Sequence, residues 1–107
     1  MAARYTQPSE EELAQALVEL PGWSLADGKL HRRYRLPSFG SAIAFMVRVA
    51  FEAERIDHHP NWSNVYDRVQ VELWTHDVGG ITDRDLTLAR AMEQHARALG
   101  AQDGSAA

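Results

Sequence analysis

Arg68-Val69-Gln70-Val71-Glu72-Leu73-Trp74 is the stretch that decides the fold. Val69, Val71 and Leu73 alternate with Gln70, Glu72 and Trp74, the two-residue period of a strand with one buried and one open face. Immediately upstream, Trp62 to Tyr66 is rich in aromatic and β-branched residues, and Tyr66-Asp67 supplies a turn, so a hairpin is predicted over Trp62 to His76. The same logic finds an earlier hairpin. Ala26-Asp27-Gly28 is a turn signal between Trp23 to Leu25 and Leu30 to Leu36, with Leu30, Tyr34 and Leu36 on one alternating face.

Helical periods surround these hairpins. Ser9 with Glu12 forms an S-x-x-E capping box, and Leu13, Ala16, Leu17 and Leu20 recur at helical spacing until Pro21-Gly22. From Ser38, the residues Phe39, Ala42, Ile43, Met46, Val47 and Ala50 repeat every three or four positions, in a helix that Pro60 must end. Thr82 and Asp85 make another capping box, and Leu86, Ala89, Met92, Ala96 and Leu99 form an apolar stripe up to Gly100. Helix, two strands, helix, two strands, helix is an α+β order. It suits a four-stranded antiparallel sheet with helices on one face, a two-layer sandwich whose other face carries Gln70, Glu72 and Trp74. A single domain over residues 1–107 is expected, with residues 1–8 and 101–107 flexible because they have little to bury.

Composition narrows the function. The net charge is −4 and the acidic residues are dispersed, so no basic stripe for a phosphate backbone is evident and direct nucleic-acid binding is not expected. The chain has no cysteine, which removes disulfides, thiolate nucleophiles and thiolate metal sites together. Met1 to Pro8 lacks a signal-peptide pattern and no apolar run approaches a membrane span, so a cytoplasmic location is the expectation.

The chemistry-bearing residues gather in Glu54-Arg55-Ile56-Asp57-His58-His59-Pro60-Asn61-Trp62, at the exit of the second helix. Glu54 lies four residues before His58, so on a helix that continues to the histidine its carboxylate can fix the imidazole tautomer or hold it charged. Histidines near a helix C-terminus also cap the dipole, but a pair followed by proline exceeds that need. His76, in Thr75-His76-Asp77, stands where the last strand runs out. If the sheet brings that end beside the His58-His59 loop, three imidazoles surround one small cavity, with Trp62 or Trp74 as a flat wall that suits a planar heterocycle. Asp85 reads as structural through its capping box. Asp57 and Asp77 adjoin histidines, although neighbours on an extended chain face opposite ways. His31 and His95 read as surface residues and Trp23 as core. Three imidazoles also suggest zinc, against which the divergence of adjacent side chains at His58 and His59 argues, so no metal is expected. No serine stands at a strained, glycine-flanked strand-to-helix turn of the hydrolase kind.

At these residues the chain resembles the pterin-4a-carbinolamine dehydratases, whose signature is an acidic residue, three positions, H-H-P, an aromatic, and later T-H and an aspartate. Here these are Glu54, His58-His59-Pro60, Trp62, Tyr66, Thr75-His76 and Asp85. The likeness continues through Phe45 to Ala50, Asn64 to Tyr66, Arg84 to Leu86 and Leu88-Ala89, so it spans about Leu13 to Leu99. The resemblance implies an α+β fold with a four-stranded antiparallel sheet, and a homodimer or homotetramer. It implies dehydration of 4a-hydroxytetrahydropterin (4a-hydroxytetrahydrobiopterin) to quinonoid dihydropterin, without a cofactor, in the service of pterin-dependent aromatic amino acid hydroxylases such as phenylalanine hydroxylase. By carry-over, His58 and His76 are the acid/base pair, His59 holds the pterin, and Glu54 orients or charges His58. Trp62 lines the ring pocket, the backbone of His58 to Pro60 and of Thr75, His76, Asp77 and Val78 meets the pterin edge, and Asp57 and Asp85 are structural or orienting. Relatives that act as a dimerisation cofactor or as assembly factors supply the alternative, a binding protein on the same fold.

Overall fold

The computed structural model describes residues 5–105. The chain runs α1 (Glu10–Glu19), β1 (Ser24–Ala26), β2 (Lys29–Arg35), α2 (Phe39–Ile56), β3 (Asn61–Val65), β4 (Arg68–Leu73), a one-turn 3-10 helix (His76–Val78), α3 (Asp83–Ala98) and β5 (Gln102–Asp103). Each long helix starts on a side-chain cap that satisfies backbone donors the helix cannot use. Ser9 and Glu12 close a capping box on α1, Ser38 accepts from the Ser41 amide on α2, and Thr82 and Asp85 close a capping box on α3.

The sheet order is β1-β2-β4-β3, antiparallel throughout, and β5 pairs with β2 beside β1. Asp27 and Gly28 both have positive φ (55° and 73°), the two-residue turn whose twist matches the strands it joins. Leu30 and Tyr34 of β2, with Val69, Val71 and Leu73 of β4, meet Phe45 and Val49 of α2 and Leu88 and Met92 of α3 in one buried cluster. Each such side chain contributes roughly 1.5–3 kcal/mol when fully removed from water. Opposite, Arg33, Arg35, Arg68 and Gln70 are exposed, so the sheet has one covered and one open face as predicted.

Three details differ from the sequence reading. Helix α2 buries Ala42, Phe45, Val49 and Ala53 and leaves Phe39, Ile43, Val47 and Phe51 exposed, so four of the six residues of the expected stripe (Phe39, Ile43, Val47 and Ala50) lie on the outside. Trp74 falls beyond the end of β4 and packs half-buried against the core edge, with the Lys29 ammonium 4.2 Å from its ring centroid. Finally, the segment after Ala101, expected to fray, pairs with β2. Gly100 turns the chain at φ 77°, Gly104 donates to the Arg33 carbonyl at 2.9 Å, and Arg32 holds Asp103 at 3.0 Å.

At the other end, Thr6 and Asp83 exchange two hydrogen bonds, backbone to backbone at 2.9 Å and amide to carboxylate at 2.8 Å, so this part of the expected flexible N-terminus is docked on α3. Residues 1–4 and 106–107 of the expected flexible ends lie outside the described residues. Among the described residues no helix is long and apolar enough to cross a membrane.

Candidate active site

Helix α2 stops where Asp57 takes the left-handed conformation (φ 52°, ψ 47°), which aspartate tolerates better than most residues. The His58 amide then bonds back to the Ala53 carbonyl at 3.0 Å, the six-residue closure of a Schellman turn. This turn swings His58 off the helical line and inward, where only 10% of its side chain is exposed. Its Nε2 meets Asp85 Oδ1 at 2.6 Å, a short contact of the kind made by a charge-assisted hydrogen bond. The sequence points to Glu54 as the partner. That carboxylate stays exposed on α2 and makes no ion pair among the described residues, because the i,i+4 relation holds only while the helix continues, and the helix ends at Ile56.

Asp85 is fully buried and its other oxygen is also engaged. Oδ2 accepts from the Thr82 amide at 2.9 Å and from the Thr75 hydroxyl at 2.8 Å, while the Thr75 and Thr82 hydroxyls lie 2.7 Å apart. The carboxylate therefore ties the His58 loop to the end of β4, where Thr75 passes into the exposed His76. The loop that carries His76 is closed by the Thr75 amide on the Gly80 carbonyl at 2.8 Å, with Gly79 at φ 66° ending the 3-10 turn. Two imidazole-bearing segments far apart in sequence are thus fixed to one buried group.

A second set of contacts braces the rim. Arg84 of α3 donates to the Ile56 carbonyl at 2.8 Å, next to the Asp57 turn, and its guanidinium lies 5.2 Å from the Tyr5 ring centroid. The Tyr5 hydroxyl donates to Asp77 at 3.0 Å. That hydrogen bond, reinforced by the partial desolvation and negative charge beside it, pushes the Tyr5 phenol above its ordinary range. Tyr5, Arg84 and Thr82 escape the sequence reading of the site. Of these only Thr82 carries a signal, since its capping box already places it against Asp85.

The remaining expected site residues fall in two groups. His59 and Val78 are exposed beside the bracing loops, Asp77 is held by Tyr5, and Pro60 is half-buried at the entry to β3. Trp62 is half-buried on the core side of the sheet, and Trp74 is stacked under Lys29 rather than free as a second wall. Asp57 serves the backbone turn. His31 and His95 are partly exposed, as expected, and each sits by a carboxylate, His31 3.5 Å from Glu72 and His95 2.9 Å from Glu52. Among the described residues no three His, Cys, Asp or Glu side chains are grouped as metal ligands.

Comparison with known proteins identifies the family and the fold. The family model described as pterin 4 alpha carbinolamine dehydratase matches residues 6–95. A protein of Prochlorococcus marinus (strain MIT 9303), provisionally named a pterin-4-alpha-carbinolamine dehydratase, is 54% identical over 82 residues, covering 77% of this chain and 85% of its own. A Synechococcus protein (strain WH7803) with the same provisional name is 47% identical over 93 residues, 87% of this chain and 97% of its own. A crystal structure from Brucella melitensis, described as a transcriptional coactivator/pterin dehydratase, superposes with a TM-score of 0.81 at 39% identity, over 85% of this chain and 99% of that one. With the family motif seated around a buried histidine–aspartate pair, this chain belongs to the pterin-4a-carbinolamine dehydratase family.

Proposed function

We propose that this protein dehydrates 4a-hydroxytetrahydropterin, 4a-hydroxytetrahydrobiopterin being the expected form, to quinonoid dihydropterin and water. The observation that carries the reading is the His58–Asp85–Thr75 connection, which holds one histidine buried and oriented and anchors the segment bearing His76 to the same carboxylate. Loss of the 4a-hydroxyl needs a proton on the departing oxygen while the N5 lone pair forms the new bond to C4a, after which the N5 proton leaves. Water departs with the C4a–O bond, and the proton taken from N5 replaces the one given to the oxygen, so no cofactor is consumed. Imidazoles are suited to both transfers because both of their protonation states are accessible near neutral pH.

His58 and His76 form the acid/base pair in this reading and exposed His59 holds the pterin, with Pro60, Trp62 and the Thr75–Val78 backbone around the ring. Asp85 takes the orienting role that the sequence gives to Glu54. Once a separate two-electron reduction has converted the product to tetrahydropterin, it would again serve pterin-dependent aromatic amino acid hydroxylases in the cytoplasm. Stopped-flow absorbance of chemically generated 4a-hydroxytetrahydropterin tests the proposal. Wild type is expected to accelerate its loss, and His58→Ala and His76→Ala each to remove about 10²-fold or more of the acceleration. A wild-type rate equal to buffer sinks the dehydratase reading.

A second role is favoured by one surface. Phe39, Ile43, Val47 and Phe51 recur every four residues on the outside of α2, each at least 38% exposed, a continuous apolar stripe of the type that marks protein contacts. We read it as the assembly face of a homodimer or homotetramer, and a face that a binding or dimerisation partner could share.

A further inference from the structure

The hydrogen bonds around Asp85 do more than orient His58, and only their catalytic meaning rests on the dehydratase reading. Three hydroxyl or acid protons compete within the buried cluster, and their placement can be counted. Thr82 Oγ1 caps α3 by accepting from the Arg84 amide at 3.3 Å. Thr82 is fully buried, and the hydroxyl oxygen of Thr75, 2.7 Å away, is the acceptor within reach of its own proton. Thr75 must then give its proton to Asp85 Oδ2, which also accepts from the Thr82 amide. If Asp85 were the donor on Oδ2, the order would reverse and strand the Thr82 hydroxyl proton in the core, at the cost of an unmade buried hydrogen bond. Two donors on Oδ2 stabilise the negative charge, so at Oδ1 the carboxylate accepts and the imidazole donates.

We propose that Thr82 and Thr75 form a one-way hydroxyl relay that fixes Asp85 as an acceptor, so that neutral His58 carries its proton on Nε2 and exchanges protons with substrate through Nδ1. Thr82 and Thr75 are positioning residues in this scheme. The remaining nitrogen is available for the task. Among the described residues every fully buried side-chain nitrogen and oxygen has a hydrogen-bond partner, while Nδ1 has none, so Nδ1 is not fully buried.

The measurement is the ¹⁵N spectrum of the histidine rings in uniformly labelled protein at alkaline pH, with His58 assigned by its loss in His58→Gln. Wild type is expected to show a protonated Nε2 and a bare Nδ1. A bare Nε2, or the averaged shifts of a freely exchanging imidazole, overturns the relay. Asp85→Asn gives a second, opposite expectation. The amide oxygen must occupy the Oδ2 place to accept from Thr82 and Thr75, which points the NH₂ at His58 Nε2 and forces the proton to Nδ1. The His58 signals should exchange character, and kcat should fall on the order of 10²-fold or more with KM little changed. An unchanged tautomer in this variant refutes the proposal. The spectra do not depend on turnover. A protein that shows the expected tautomers without accelerating dehydration keeps the relay and loses the dehydratase reading, whereas an active protein with a bare Nε2 does the reverse.

Discussion

Replacing Glu93 with alanine should unfold this protein more readily than any exposed charge change, because three donors converge on one of its oxygens. Glu93 Oε2 accepts from Trp23 Nε1 at 3.0 Å, from Arg32 Nε at 2.9 Å and from the Tyr34 hydroxyl. Trp23 and Tyr34 are 5% and 1% exposed, so water cannot replace the lost acceptor for them. Burial pushes the Tyr34 phenol far above its ordinary range, with Glu93 adding to it, so its proton stays in place as a donor. Each stranded neutral donor costs about 1–3 kcal/mol, and breaking a buried ion pair costs about 3–5 kcal/mol. Arg32 retains Asp103 and the Arg33 carbonyl, and the losses share one site, so they do not add. A net loss of about 3–5 kcal/mol is expected, a large part of the roughly 5–15 kcal/mol available to a domain.

Urea titration by far-UV circular dichroism reads this as a lower midpoint at unchanged slope. The exposed Arg55–Glu52 pair is the control, where Arg55→Ala should change stability by no more than about 1 kcal/mol. A loss below about 1 kcal/mol for Glu93→Ala, the scale of a surface pair, would mean that the three donors do not depend on this carboxylate. Acid provides an independent check. Burial opposes ionisation of Glu93, but the hydrogen bonds from Arg32 and Tyr34, the Arg32 charge and the Trp23 indole outweigh it and hold the carboxyl below the ordinary glutamate range. A depressed folded value means the stabilisation is complete above the unfolded value and disappears as pH falls through the folded one. Wild type should therefore lose its advantage over Glu93→Gln across that acidic window.

Two further perturbations test other parts of the structure. A Cβ at position 104 would lie 2.9 Å from the Tyr34 carbonyl carbon and 3.0 Å from its oxygen, backbone that cannot yield, so Gly104→Ala should cost about 1–3 kcal/mol and speed amide exchange across the β5–β2 pairing. Unchanged exchange there would mean that β5 does not need the close approach. Val47→Asp and Phe51→Asp, on the outer face of α2, should leave circular dichroism intact and lower the sedimentation coefficient to that of a monomer, while a wild type that already sediments as a monomer removes the assembly reading.

The strands and helix starts are legible in the sequence because each is written in local chemistry. An Asp-Gly turn, alternation in Val69 to Leu73 and capping pairs at Ser9 and Thr82 need no knowledge of the rest of the chain. The orientation of α2 is not legible, since both Ala42, Phe45, Val49 and Ala53 and the exposed Phe39, Ile43, Val47 and Phe51 follow helical spacing. Apolar residues on two faces leave the period intact and remove its information about which face packs. Strand β5 is invisible for a different reason. Two residues carry no alternation, and their pairing depends on Arg32 reaching Asp103 and on a glycine that lets two backbones meet.

The site shows the same division at the scale of single atoms. His58, His59 and His76 stand out in the sequence, and so does the capping box that contains Asp85, yet the carboxylate in contact with His58 is Asp85 rather than the one that spacing pairs with it. Helical spacing selects Glu54, by a rule that fails at the first left-handed residue, and Asp57 is that residue. A capping box gives Asp85 a role that uses only one of its oxygens. A carboxylate has two, and one that is fully buried must have both satisfied. Once Oδ2 is committed to Thr82 and Thr75, Oδ1 needs a donor from outside the helix, and His58 is the group the Asp57 turn delivers to it. The residue that closes the α3 capping box thereby sets the proton on the histidine, so the helix cap and the proton chemistry are one structural unit.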